Sequence, residues 1–111
     1  MKITINNIPH SKQRYETLGD YWIDKEGVLH IVVSEFVDED SSFVVGIHEL
    51  IESWLCKKRG ISFDGITQFD IDFKGEGEPG DDPKSPYLKE HKFATKIEKM
   101  VCKELGIKWV P

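Results

Sequence analysis

Alternating apolar and polar positions near the start of the chain predict β-structure. Residues 2–6 read K-I-T-I-N, which has the two-residue period of a short strand. Residues 8–20 are irregular, with room for a single helical turn. YWID and VLHIVVSEF follow, rich in aromatic and β-branched residues and separated by KEG. This pattern predicts a hairpin with Gly27 in the turn, and the apolar character of both faces of its second strand predicts cover on both sides.

A long apolar run with the helical period follows the acidic cluster 38–42. Asp40 or Ser41 is a favourable N-cap, and negative charge at this end suits the helix dipole. Lys57, Lys58 and Arg59 suit a C-terminus, so the helix is predicted to run to about Arg59, with Gly60 closing it.

A second helix is predicted in the last third of the chain. It should begin near Ser85-Pro86, because proline is favoured in a first turn, and continue to about Leu105, where Gly106 ends it. Residues 61–85 between the helices are dense in Gly, Pro and Asp and predict a loop. Within them FDIDF, residues 69–73, is expected to form a short strand or turn, and the closing IKWV a possible strand.

These elements predict an α+β fold in one domain, residues 1–111. A small antiparallel sheet with the two main helices packed on one face would bury all the apolar stripes. A chain of 111 residues is long enough to bury one core without disulfides. Cys56 and Cys102 have no CxxC spacing and predict reduced, partly buried thiols.

Polar residues with metal-binding potential lie at the edge of the apolar arc of the first helix. His48 and Glu52 are spaced i, i+4, about 40° apart on the helical wheel. Gly46, Ser53 and Lys57 are expected on the solvated side. The arc itself consists of Val44, Ile47, Leu50, Ile51, Trp54 and Leu55.

The second helix repeats this pattern. His91 and Glu98 are spaced i, i+7, about 20° apart at the edge of its apolar arc. If the helices pack side by side, the four residues can converge. The expected core face carries Phe93, Ala94, Ile97, Met100, Val101 and Leu105, and the expected solvated face carries Lys92, Lys96, Lys99 and Lys103.

Such a convergence predicts a site for zinc or another divalent metal. Zinc is commonly held by His and carboxylate ligands with one position open to water, so His48, Glu52 and His91 are the predicted ligands. Glu98 would orient His91 or serve as a fourth ligand. Glu49 stands where H-E-x-x-H enzymes have their general base, which makes it the predicted catalytic residue.

A buried His/Glu hydrogen-bond network that orients the helices without a metal is the alternative interpretation. Under it the protein is a non-catalytic accessory or binding protein.

Other candidate site residues have simpler interpretations. The Asp81–Asp82 pair could reach a site between the helices but favours turn formation, Asp70 and Asp72 favour a solvated strand face, and His10 and His30 favour ordinary roles.

The stretch HELIE, residues 48–52, resembles the active helix of zincin-like metallopeptidases, with Glu52 in place of the second histidine. That resemblance implies a zincin-like arrangement and a hydrolase. The wider pattern resembles small phage- and prophage-encoded proteins of unassigned activity. It is carried by residues 13–22 (QRYETLGDYW), 48–61 (HELIESWLCKKRGI), 69–73 (FDIDF) and 78–98 (EPGDDPKSPYLKEHKFATKIE). This second resemblance implies a phage context and supplies no reaction.

Net charge and hydropathy indicate which binding partners and which cellular location to expect for the protein. The net charge of −5 disfavours non-specific nucleic-acid binding. The first ten residues lack the apolar segment of a secretory signal, and no apolar run approaches the roughly 20 residues that span a bilayer. We therefore expect a cytoplasmic protein, in the host bacterium if the phage context holds, whose substrate or protein partner the sequence does not identify.

Overall fold

The computed structural model describes residues 1–36 and 38–111. A three-stranded sheet contains β1 (Ile3–Ile8), β2 (Gly19–Ile23) and β3 (Leu29–Ser34). Three helices follow, α1 (Glu39–Lys58), α2 (Phe63–Asp72) and α3 (Leu88–Leu105), and single 3₁₀ turns lie at His10–Lys12 and Pro79–Asp81. The predicted α+β fold is confirmed.

The sheet is mixed rather than wholly antiparallel. β3 lies in the centre, antiparallel to β2 through the predicted hairpin and parallel to β1, with Ile3 opposite Leu29. The parallel pairing arises because the segment between β1 and β2 crosses from one edge of the sheet to the other, so that β3, returning from the β2 hairpin, lies between them in the direction of β1. Only one face of β3 is fully covered. Leu29, Ile31 and Val33 are completely buried, whereas His30 and Val32 on the other face are half-buried.

The helices form two further layers on this sheet. α1 packs across β2 and β3, and α3 packs along α1 instead of joining it on the sheet as predicted. α2 lies beside β2, and the Pro79–Asp81 turn packs against α2 and α3. α1 is therefore the middle layer, so both its sheet-facing and its α3-facing sides are buried.

Helix ends agree with the sequence to within a few residues. Asp38, and not Asp40 or Ser41, is the N-cap of α1, because its carboxylate accepts hydrogen bonds from the Asp40 amide and the Ser41 hydroxyl. α3 starts at Leu88, three residues later than expected, and ends as predicted at Gly106, which has the left-handed conformation with φ 71°.

The main error of the sequence interpretation concerns residues 63–72, which form α2 and not a loop with a short strand. The Ser62 side chain caps this helix by accepting a hydrogen bond from the Gly65 amide. Gly65 and Thr67 have low helix propensity, so the helix depends on burial of Ile66 and partial burial of Phe63 and Phe69 against the core. The closing IKWV segment forms no strand.

Two smaller features complete the fold. Cys56 and Cys102 on α1 and α3 are free thiols, as predicted, but they are buried and not partly buried. None of the helices in residues 1–36 and 38–111 combines the length and the apolar character needed to cross a lipid bilayer.

Candidate metal centre

His48 and Glu52 lie in the buried interior of α1 and not at its rim. Their exposed fractions are 6% and 3%. Gly46 and Ser53, expected on the solvated side, are buried, while Trp54 of the expected apolar arc is 39% exposed. The helical-wheel prediction for α1 fails because this helix is a middle layer. Which of its residues are buried depends on their position between the sheet and α3 and not on side-chain hydropathy.

His91 is the corresponding buried residue of α3, with an exposed fraction of 5%. The buried face of α3 is narrow and includes Glu90, His91, Ala94 and Cys102. Phe93, Met100 and Leu105, expected in the core, are exposed, because α3 packs against α1 and the Pro79–Asp81 turn and leaves the rest of its surface open. Across the helix interface, Arg59 donates to Glu90 at 2.7 Å.

The structure brings His48, Glu52 and His91 into mutual contact, as the predicted convergence requires. Oε2 of Glu52 lies 2.9 Å from Nε2 of His48 and 2.8 Å from Nδ1 of His91, and the two ring nitrogens are 3.2 Å apart. Zn–N bonds of 2.0–2.1 Å place the ligand atoms of one tetrahedral ion about 3.3 Å apart. Shifts of a few tenths of an ångström would therefore suffice for these three atoms to bind one ion.

A tyrosine completes the surroundings of Glu52. The Tyr21 hydroxyl of β2 donates to Oε1 of Glu52 at 2.6 Å, which leaves Oε2 to face the two imidazoles. Carboxylates that bind metals are commonly held by such a second hydrogen bond. Tyr21 was not predicted for the site, since its position depends on the packing of β2 against α1 and no local spacing indicates it.

Glu98 contacts His48, so the expectation that it orients His91 is wrong. Oε1 of Glu98 lies 2.8 Å from Nδ1 of His48, and the Trp109 indole donates to Oε2 at 2.5 Å. Residues seven apart lie about 10 Å apart along a helix axis, so Glu98 cannot reach His91 on the same helix. It reaches the facing helix instead, where its carboxylate lies within ion-pair distance of the His48 nitrogen that is not directed at Glu52.

The Pro79–Asp81 turn lies against the other side of His91. Oε2 of Glu78 is 3.2 Å and Oδ1 of Asp81 is 3.4 Å from Nε2 of His91. The approach requires Gly80, because a Cβ there would lie 2.5 Å from Cγ and Nδ1 of His91. Asp82 has the predicted turn role, accepting from the Lys84 amide, whereas Asp81 does reach the site. Glu78 was missed, although its position in a Gly- and Pro-rich segment just before α3 was a usable signal.

Glu49, the predicted general base, is half-buried beside the three converging residues. Its side chain packs so tightly on Gly19 that a Cβ there would lie 2.6 Å from Cγ and Oε1 of Glu49. Burial and the nearby Glu52 carboxylate raise the pKa of Glu49 well above its usual range. A carboxyl group with a raised pKa beside a site for a cation has the character of a general acid–base group.

Hydrogen bonds and charges within the group formed by His48, Glu52 and His91 (the triad) shift the pKa values of all three side chains. Burial alone would lower the pKa of both histidines, but the carboxylates raise the pKa of His48 to about 11 and that of His91 to about 10. Burial would raise the pKa of Glu52, yet hydrogen bonds from both imidazoles hold it at about 2. These shifts favour the protonated form of both imidazoles beside the Glu52 carboxylate, and a divalent cation carries the same charge as the two protons that it would displace.

The triad forms part of the wall of a cavity of about 760 Å³. Glu49, Glu78 and Asp81 line the same cavity, as does Asp70 of α2. Asp70 is not on a solvated strand face as expected. Instead its carboxylate accepts hydrogen bonds from Tyr87 at 2.6 Å and from Tyr15 at 3.2 Å. Asp72 is exposed and accepts from Gln68.

His10 and His30 each bind one carboxylate outside this cluster, although the sequence showed no carboxylate at ligand spacing. His10 pairs with Glu16, and His30 with Asp24, each through Nε2. Each ring has one carboxylate partner and one hydroxyl partner. His10 and His30 are therefore ordinary hydrogen-bonded histidines, as expected.

Comparison of the chain with protein-family models, curated proteins and solved structures gives no match. The function has to be inferred from the site alone.

Proposed function

We propose that this protein is a small metal-dependent hydrolase. In this proposal His48, Glu52 and His91 bind one divalent ion, which we take to be zinc. The observation that carries this proposal is the convergence of three ligand atoms to within 2.8–3.2 Å of one another in a cavity wall. Two imidazoles and one carboxylate are the donor set of several catalytic zinc sites.

The residues around these ligands support a catalytic site with an open position. Glu98 and Tyr21 hold His48 and Glu52 in the orientation that binding requires. A bound zinc ion would polarise a carbonyl group or acidify a water molecule. Glu49 would accept a proton from the attacking water and return it to the leaving group, because it lies in the same cavity wall and has a raised pKa.

The loop from Gly75 to Ser85 is the proposed lid, because it carries Glu78 and Asp81 to the cavity beside His91. We also propose, from the resemblance of HELIE to zincin helices, that the arrangement of α1 is zincin-like, and from the wider resemblance that the protein acts in the cytoplasm of a phage-infected bacterium.

A non-catalytic accessory or binding protein is the second candidate, and one observation favours it. Glu52 accepts hydrogen bonds from Tyr21, His48 and His91, so its carboxylate is fully satisfied without a metal. Such a network would fix the packing of α3 on α1.

Two measurements on metal-stripped protein separate these candidates. We expect zinc titrated calorimetrically to bind wild type and Glu49→Gln with similar affinity, and His48→Ala at least 100-fold more weakly. We then expect the zinc-loaded wild type to hydrolyse at least one member of a panel of peptide, amide and phosphoester substrates, and Glu49→Gln to be inactive. Glu104→Gln, which changes an exposed glutamate of α3, is the matched control.

Failure has a distinct form for each part of the proposal. Absence of zinc binding at micromolar concentrations would contradict the metal site. Zinc binding with equal background rates in wild type and Glu49→Gln would leave a metal-stabilised structural protein and reject the hydrolase.

A further inference from the structure

His91 offers two ring nitrogens to two different groups of carboxylates. Nδ1 faces Glu52 and His48, which form the site proposed above. Nε2 faces the opposite way, toward Oε2 of Glu78 at 3.2 Å and Oδ1 of Asp81 at 3.4 Å. The three atoms of this second group lie within 4.8 Å of one another.

A hydrogen bond does not explain this second group. His91 is 5% exposed, and its buried Nε2 lies 3.2–3.4 Å from the two carboxylates without forming a well-directed hydrogen bond to either of them among the described residues. One N–H group donates in one direction, whereas two carboxylates converge on this nitrogen. Unsatisfied buried polar atoms of this kind are uncommon and point to an absent partner.

We propose that Glu78, Asp81 and Nε2 of His91 bind a second divalent cation, so that the imidazole of His91 bridges two ions. This inference rests on the proposed function, because the first ion occupies the Nδ1 side. A cation can satisfy both carboxylates and the ring nitrogen together, which one proton cannot. When the second ion binds, the Nε2 proton is released to solvent and the resulting imidazolate donates one lone pair to each ion.

The expected site is open on its outer side. The side chains of Glu78 and Asp81 are 59% and 58% exposed, so water or substrate oxygen can fill the remaining coordination positions. Two metal–nitrogen bonds of about 2 Å and the width of the ring place the ions about 6 Å apart. Both would border the cavity that Glu49 lines, so the second ion can bind an anionic or carbonyl oxygen of a substrate held by the first.

The local backbone supports this arrangement. Glu78 precedes a single 3₁₀ turn and Asp81 is its last residue, a spacing that brings their side chains to the same side, and Gly80 permits the turn to approach the His91 ring. One tight turn supplies two of the ligands, and the first turn of α3 supplies the third. Short-range structure therefore positions all three.

The test is the zinc stoichiometry of metal-stripped protein, measured by titration calorimetry and native mass spectrometry. We expect two zinc ions in wild type and one in Glu78→Gln/Asp81→Asn. Asp72→Asn/Glu76→Gln is the matched control, because it removes the same charge from two exposed residues near this turn, and we expect it to bind two. Circular dichroism checks that each variant is folded.

Copper supplies a readout that does not depend on counting. With two equivalents of Cu²⁺, magnetic coupling across a bridging imidazolate should weaken the electron paramagnetic resonance signal of wild type to less than half of two independent spins. The Glu78→Gln/Asp81→Asn variant with one equivalent should give one full spin. Two independent spins in wild type would overturn the bridge.

The outcomes separate this inference from the proposed function. One zinc ion in both wild type and Glu78→Gln/Asp81→Asn overturns the second site and leaves the first in place. Two ions in both overturn the assignment of the second ion to this turn. No zinc in wild type overturns both proposals.

Discussion

Replacing Asp70 with Asn should stabilise the protein at neutral pH and not in acid. Burial raises the pKa of Asp70 to about 6 from the ordinary value of 3.8, although hydrogen bonds from Tyr87 and Tyr15 oppose this shift. The folded state therefore binds more protons than the unfolded state between about pH 4 and pH 6, and the free energy of unfolding falls as the pH rises through this window. Above about pH 6 the raised pKa of Asp70 therefore lowers the free energy of unfolding by about 3 kcal/mol.

Asparagine removes this cost and keeps the geometry. Its carbonyl oxygen can accept from Tyr87, and its amide can donate to the Tyr15 oxygen. The hydrogen bonds become neutral and weaker by about 1 kcal/mol in total, so we expect a net gain of about 1–2 kcal/mol at pH 7.5. At pH 4 the wild-type carboxyl is protonated in the folded state, and the gain should fall to about zero.

The assay is urea denaturation followed by tryptophan fluorescence between pH 4 and pH 8, with a chelator present so that metal binding does not contribute. Asp72→Asn, an exposed aspartate two residues later in α2, is the control and should show no comparable gain. A variant with unchanged or lower stability at pH 7.5, or a gain that does not vary with pH, would refute the inference that Asp70 is a costly buried charge.

Two further substitutions test the surroundings of the site. Glu98→Leu leaves Nδ1 of His48 and the Trp109 indole without their carboxylate, and should lower the unfolding free energy by about 1–3 kcal/mol in a urea melt; a change within about 0.5 kcal/mol would remove Glu98 from the site. Gly19→Ala would place a Cβ 2.6 Å from Glu49 and displace it, so turnover of zinc-loaded protein should fall by about 10–100-fold with unchanged zinc stoichiometry, and an unaffected rate would argue against Glu49 as the base.

The elements with strong periodicity could be predicted from the sequence. The β2–β3 hairpin, α1 and α3 were found because their apolar period agrees with the glycines that form the hairpin turn and end the helices, Gly27, Gly60 and Gly106. α2 was missed because its Gly and Thr favour a loop, and tertiary burial of Ile66 overrides that preference. The parallel pairing of β1 with β3 also lies beyond local pattern, since strand partners are set by long-range packing.

The candidate site was predictable in its helical part only. The i, i+4 pair of His48 and Glu52 and the buried position of His91 led to residues that do converge. Helical wheels give direction around one axis but neither the partner across an interface nor the depth of a layer. For this reason Glu98 was assigned to the wrong histidine, and Tyr21 and Glu78, which come from a strand and a turn, were not assigned at all.

Anomalous X-ray scattering from crystals grown with zinc is the most direct test of the metal site. Data on either side of the zinc absorption edge should show a peak about 2.0–2.2 Å from Nε2 of His48, Nδ1 of His91 and a carboxylate oxygen of Glu52. Crystals grown with zinc that show no anomalous peak at this site, and in which Glu52 is still hydrogen-bonded to both imidazoles, would contradict the proposal that these three residues bind a metal.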